Sequence, residues 1–137
     1  MKATLTAIFA KCAVGTDLYT ALGGRLYKQR APDGTAYPYA VFFLVSDVAD
    51  PVFAKGGEDA LVQFSLFSSN SSSSEIEDAY TYLKALYDDC ALTITGNVLV
   101  WMKRENATLT IEDHTTPTGT MEVWHYAIDY RVLTQES

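Results

Sequence analysis

The chain reads as an α+β domain: an antiparallel sheet of five or six strands with two helices packed on one of its faces. Three observations carry that reading. In residues 120–133, Trp124, Tyr126, Ile128, Tyr130 and Val132 alternate with His125, Asp129 and Arg131, which is the period-two pattern of a half-buried strand. In residues 59–67, Ala60, Val62, Phe64 and Leu66 share one side while Gln63 and Ser65 take the other. Between these segments, Ile76, Ala79, Tyr80, Leu83, Leu86, Tyr87 and Cys90 recur at steps of three and four. Such a stripe belongs to an amphipathic helix, and a sheet face is the partner available to cover it.

The remaining elements follow in order. Leu5, Ile8, Phe9 and Cys12 stand at helical spacing, so a helix over 3–14 opens the chain. A short second helix follows, with Thr16 or Asp17 as its N-cap and Gly23-Gly24 as its stop. Residues 25–30 read as a short strand, and Ala31-Pro32-Asp33-Gly34 as a turn. Pro38 excludes helix just before a strand over 39–46. That strand is apolar on both faces and is therefore expected at the centre of the sheet, covered on each side. A loop spans 47–58, and the serine-rich run 68–74 links strand to helix. Ser74 and Glu77 have the spacing of a capping box. Leu92 to Ile94, a turn at Gly96-Asn97, and Val98 to Arg104 form a hairpin. The polar stretch 105–118 is either an extension of two strands beyond the core or a mobile loop.

Composition narrows the function. The 137 residues are about one domain in length, so 1–137 is taken as a single unit. With 48% hydrophobic and 20% charged residues the chain is a folding one. A net charge of -7 argues against nucleic acid as a specific partner, because phosphate binding needs a basic face. Arg25, Lys28 and Arg30 form the one close basic cluster and read as a solvated strand end. No apolar run approaches the ~20 residues of a membrane helix, and no cleavage site follows the first apolar stretch. The chain is thus expected in the cytoplasm when made, with no membrane contact. Cys12 and Cys90 are expected as free thiols in their helices, with a disulfide the alternative if those helices pack side by side.

Chemistry is sparse. The two histidines, His114 and His125, lack a cysteine or second imidazole at ligand spacing, so neither a zinc site nor any other cofactor is expected. A hydrogen-bonded surface pair of His125 with Asp129 is expected instead. Gly23-Gly24 and Gly56-Gly57 lack the spacing of phosphate loops. The acidic groups at 75–78 and 88–89 read as solvated helix faces, and the first favours the positive end of its helix. Asn70-Ser-Ser and Asn106-Ala-Thr match glycosylation sequons only by coincidence. What remains is contact surface: nine tyrosines, two tryptophans and two long polar excursions, 47–58 and 105–119.

One stretch is more specific. Leu22-Gly-Gly-Arg-Leu-Tyr27, Ala31-Pro-Asp-Gly34 and Tyr37-Pro-Tyr-Ala-Val-Phe42 resemble the N-terminal signature of the tail-completion, or tail-terminator, proteins encoded among the head–tail joining genes of tailed phages and prophages. The order of elements resembles that family over most of the chain. The resemblance implies an α+β fold, no cofactor, no catalysis, and a cyclic homo-oligomer, usually a hexamer. That ring caps the head-proximal end of the tail in the virion, between the tail tube protein and the head–tail connector protein, after assembly in the host cytoplasm. Gly23, Gly24, Gly34 and Pro38 shape backbone in that motif. A ring needs two different surfaces on each subunit. The expected interface sets Arg104, Glu105, Thr110, Glu112 and His114 of the strand edge and arm against Asp50, Phe53 and Lys55 of the 47–58 loop. The competing expectations are another head–tail connector or minor capsid component, a small-molecule module with Tyr80, Tyr87, Trp101 and Trp124 around a pocket, and an enzyme using His125 with a carboxylate.

Overall fold

The computed structural model of the chain describes residues 1–51 and 56–137. Helix α1, Lys2–Lys11, buries Leu5 and Ile8. Helix α2, Asp17–Leu22, begins as its sequence demands: Thr16 is the N-cap, and its hydroxyl accepts from Tyr19 N–H at 3.3 Å. It ends at Gly23, in the left-handed conformation, with Gly23 N–H bonding Thr20 O and Gly24 N–H bonding Tyr19 O. That pair of bonds satisfies the last helix carbonyls. At Gly24 glycine is needed twice over, for a φ of +77° and because a Cβ would sit 2.9 Å from Tyr19 Oη.

Strand β1, Leu26–Lys28, is followed by β2, Tyr39–Ala49, β3, Gly57–Ser68, and helix α3, Ser74–Tyr87. After α3 come β4, Thr93–Ile94, β5, Asn97–Thr116, and β6, Gly119–Glu136. The six strands form one sheet in the order β1-β2-β3-β6-β5-β4. The fold is therefore mixed α/β with three helices rather than two. Its sheet is mixed rather than antiparallel, since β1 pairs with β2 in parallel.

Period two decides the faces. Ala40 and Phe42 of β2, Ala60, Val62, Phe64 and Leu66 of β3, and Ile128, Tyr130 and Val132 of β6 are all buried in one cluster. The same cluster holds Leu5 and Ile8, Leu18 and Leu22, and Ile76, Ala79, Leu83 and Tyr87 from the helices. Each large side chain so buried contributes roughly 1.5–3 kcal/mol before entropy is subtracted. Phe64 sits at the middle, 4.8 Å from the Tyr87 ring and 5.7 Å from Tyr130.

Several expectations are corrected. Strand β2 lies second from the sheet edge, and Val45 and Val48 in its far half are exposed. An apolar run on both faces was thus no sign of a central place. The strand also continues to Ala49, so much of the expected 47–58 loop is paired backbone. The capping box does not form at Ser74. Its backbone is already helical, Ser73 is the N-cap, and Ser73 Oγ donates to Glu77 Oε2 at 2.9 Å. Cys90 falls beyond the end of α3, with its Sγ 3.7 Å from Met102 Sδ, and both cysteines are free. The hairpin turn falls at Thr95-Gly96, one residue before the expected place, with Ile94 opposite Asn97. Of the two readings of 105–118, the structure takes the extension: β5 and β6 pair from Asn97–Glu136 to Thr116–Gly119.

Candidate subunit interface

Because β3 ends opposite Trp124, the β5–β6 ribbon beyond that level has no third strand beside it among the described residues and projects as an arm. Its base carries a connected polar arrangement on the sheet face opposite the apolar cluster. One row crosses four strands there: Tyr39, Phe67, His125 and Thr110 are register partners in turn. The Tyr39 and Phe67 rings stack with centroids 4.9 Å apart, and Phe67 stacks on His125 at 4.5 Å.

Alongside runs a continuous hydrogen-bond chain. Tyr37 Oη lies 3.0 Å from His114 Nδ1, and His114 Nε2 lies 3.1 Å from Glu112 Oε1. Glu112 Oε2 is 2.6 Å from His125 Nδ1, and His125 Nε2 is 2.9 Å from Ser65 Oγ. With both imidazoles neutral and Glu112 ionised, every proton has a place. His114 Nε2–H and His125 Nδ1–H donate to the carboxylate, while the Tyr37 and Ser65 hydroxyls donate to the remaining ring nitrogens. Partial burial works to raise the Glu112 pKa, but the hydrogen bonds of the two histidines, together with their charge whenever they are protonated, outweigh it and hold the carboxyl below its ordinary value.

The sequence Ser65–His125–Glu112 has the contact order of nucleophile, base and orienting acid. Its setting differs from that of a hydrolase. Ser65 lies in mid-strand with β2 paired on one side and β6 on the other, and it is buried. An oxyanion hole needs unpaired N–H donors beside the nucleophile, whereas here the neighbouring backbone is committed to two ladders. The chain of bonds works as a strut that ties the 31–38 segment, β3, β6 and the arm together. Among the described residues, no group of three His, Cys, Asp or Glu side chains is placed to hold a metal ion.

The expected interface residues are spread over the molecule. Glu112 and His114 belong to the strut, and Thr110 Oγ1 donates weakly to His125 O at 3.5 Å. Arg104 lies near the end of α3, where its guanidinium forks onto Asp88 at 3.1–3.2 Å and donates to Tyr80 Oη at 3.1 Å. Glu105 sits at an irregularity in β5 and pairs with Arg131 at 3.2 Å. Asp50 closes the far end of β2, its N–H bonding Gly57 O at 2.9 Å. Phe53 and Lys55 lie outside the described residues. The expected His125–Asp129 pair does not form, because Asp129 accepts from Gln63 instead, at 2.9 Å. Arg25 is structural, its Nε donating to Pro38 O at 2.9 Å. Tyr80, Tyr87, Trp101 and Trp124 do not converge on one pocket. Tyr87 is sealed in the core, Tyr80 packs on Tyr126, Trp101 lies under Lys103, and Trp124 Nε1 donates to Asn70 O.

The strut was missed for want of a register. Pro117-Thr118 between Thr116 and Gly119 is a two-residue hairpin connection, and counting back from it places Thr110 opposite His125 and Glu112 within reach.

Residues 6–135 match the family model described as tail completion protein gp17. The chain belongs to this family. The matched stretch includes residues 22–42, in which Gly23 and Gly24 turn the chain out of α2 and toward β1. Among solved structures, the chain is similar to one from the virion of a native gene transfer agent particle. The TM-score is 0.59 at 14% identity, and the alignment covers 94% of this chain and 93% of that one. A second solved chain aligns with a TM-score of 0.56 at 12% identity, over 96% of this chain and 94% of its own length. Comparison with curated proteins finds no match. Among the described residues no helix is long and apolar enough to cross a membrane.

Proposed function

We propose that this chain is a tail terminator of a phage or prophage: a non-enzymatic, single-domain subunit that forms a cyclic ring, a hexamer, on the head-proximal end of the tail tube. The reading rests on the family match over residues 6–135, which covers the core and the arm alike. Two further observations favour it. The fold is similar to that of a chain from a gene transfer agent virion, and the arm is braced by a strut at its base, as a contact element needs to be. In the ring, Arg104, Glu105, Thr110, Glu112 and His114 form one contact surface, and Asp50, Phe53 and Lys55 belong to the other. The remaining partners are the tail tube protein and the head–tail connector protein. The chain reaches the virion after assembly in the host cytoplasm.

Electron microscopy of lysates from a phage lacking this gene tests the role. The terminator reading expects tails of unregulated length and unjoined filled heads, whereas a connector or minor capsid role expects tails of normal length with defective heads. The arm has its own test, replacement of residues 113–122 by Asn-Gly, which retains the Glu112–Val123 pair beside a two-residue turn. The shortened chain is expected to fold and to fail in restoring joined particles. Full restoration would show that the arm is dispensable.

A further inference from the structure

Both outer edges of the sheet are left largely open, at opposite ends. On the β1 side, β2 is paired only from Ala40 to Phe42, with Gln29 N–H adding a bond to Phe42 O. From Phe43 to Ala49 no strand among the described residues lies beside it. On the β4 side, β5 is paired only at Asn97 and Val98, and Asp89 N–H covers Met102 O. From Lys103 to Thr116 no strand among the described residues lies on that side either. Long open edges invite pairing with another chain, and monomeric proteins usually blunt them. Proline is absent from these stretches, which carry exposed Val45, Val48 and Ile111 and are interrupted by one irregularity each, at Val45 and at Glu105.

Strand direction makes the two edges fit one another. Strands β2 and β6 run the same way and β5 runs opposite, because each neighbouring pair from β2 to β5 is antiparallel. Subunits repeated in one sense around a ring therefore bring the β5 edge of one copy antiparallel to the β2 edge of the next, the more stable ladder. The contact is heterologous, as a cyclic ring requires. Register sets the offset. Leu44, Val62, Tyr130 and Arg104 lie level across the sheet, so a copy set straight across would bring the β1 and β4 blocks against the open stretches. A stagger along the strands clears both blocks, and stagger repeated at each contact is the shear by which tilted strands close into a barrel.

We propose that copies of this chain join by β-augmentation, the open edge of β5 in one subunit pairing antiparallel with Phe43–Ala49 of the next, so that the ring contains one continuous sheet. The proposal rests on the ring reading above. Hydrogen exchange read by mass spectrometry on the full chain, free and bound to isolated tails, tests it. Peptides spanning 43–49 and 110–116 are expected to exchange at least about tenfold more slowly when bound, because ladder formation removes their amides from water. Tail-bound chain in which both segments exchange as in the free chain, while other segments gain protection, overturns the edge pairing and leaves the terminator reading standing. A wild-type chain that neither binds tails nor oligomerises in native mass spectrometry overturns both.

Discussion

The two faces of the sheet are built from the same strands, and both are rich in aromatic rings, yet they are held by different physics. On one face Phe42, Phe64, Tyr87 and Tyr130 are sealed from water, and their rings meet at 4.8 to 6.3 Å. On the other, Tyr37, Tyr39, Phe67, His114 and His125 stay partly exposed and are joined by oriented hydrogen bonds as much as by stacking. The sealed face resists change in volume, since cores are packed to crystal density. The open face resists change in polarity and protonation, because its order comes from donors matched to acceptors. Stability thus belongs mainly to the first face, and the attitude of the arm to the second.

The sharpest way to break this comparison is a truncation on each side. Phe64→Ala opens a cavity in a fully buried site and is expected to cost about 3–5 kcal/mol in urea unfolding. Phe67→Ala, on the open face, is expected to cost less than half as much. Equal losses would mean that the two faces are energetically alike.

A smaller effect tests a polar bond inside the sealed face. Tyr87 Oη donates to Ile8 O at 2.6 Å, satisfying a carbonyl near the end of α1 that its helix leaves without a partner. Burial pushes the phenol pKa up, so the hydroxyl remains a donor at working pH. Tyr87→Phe is expected to cost about 1–2 kcal/mol, read as a lower urea midpoint at unchanged slope.

The smallest effect belongs to the strut. Its histidines hold the Glu112 carboxyl below its ordinary value of 4.5 in the folded chain. The unfolded chain therefore binds more protons through that window, and stability rises with pH across it. The contribution is complete above the ordinary value and is lost as pH falls through the lowered one. Because the side chain is more than a third exposed, solvent keeps the contribution under about 1 kcal/mol. Glu112→Gln is expected to lower the urea midpoint slightly at pH 7, with the difference fading below pH 4.5. A difference that stays flat with pH would show that the carboxylate charge contributes nothing.

Much of this architecture was legible residue by residue. Thr16 and Gly23-Gly24 bracket α2 where their chemistry requires, and the buried apolar positions Ala60, Val62, Phe64 and Leu66 of β3 and Ile76, Ala79, Leu83 and Tyr87 of α3 are among those that the two periodicities picked out, although Ser65, expected on the wet side, is buried too. The failures share a cause. The run at 39–46 could not say where β2 stands in the sheet, and Leu26 could not say that its strand runs parallel to β2. His125 was assigned Asp129 on its own strand, whereas its partners Glu112 and Ser65 come from the strands on either side.

Local periodicity and the cap and stop of α2 were determined by the sequence alone, and the α3 cap and the 95–96 turn to within one residue, because they follow from covalent geometry and the backbone groups of adjacent residues. Strand order, the parallel β1, the two open edges and the Tyr37–His114–Glu112–His125–Ser65 chain were decided only in the tertiary structure. Each depends on register between segments tens of residues apart, where a slip of one residue moves every side chain to the opposite face.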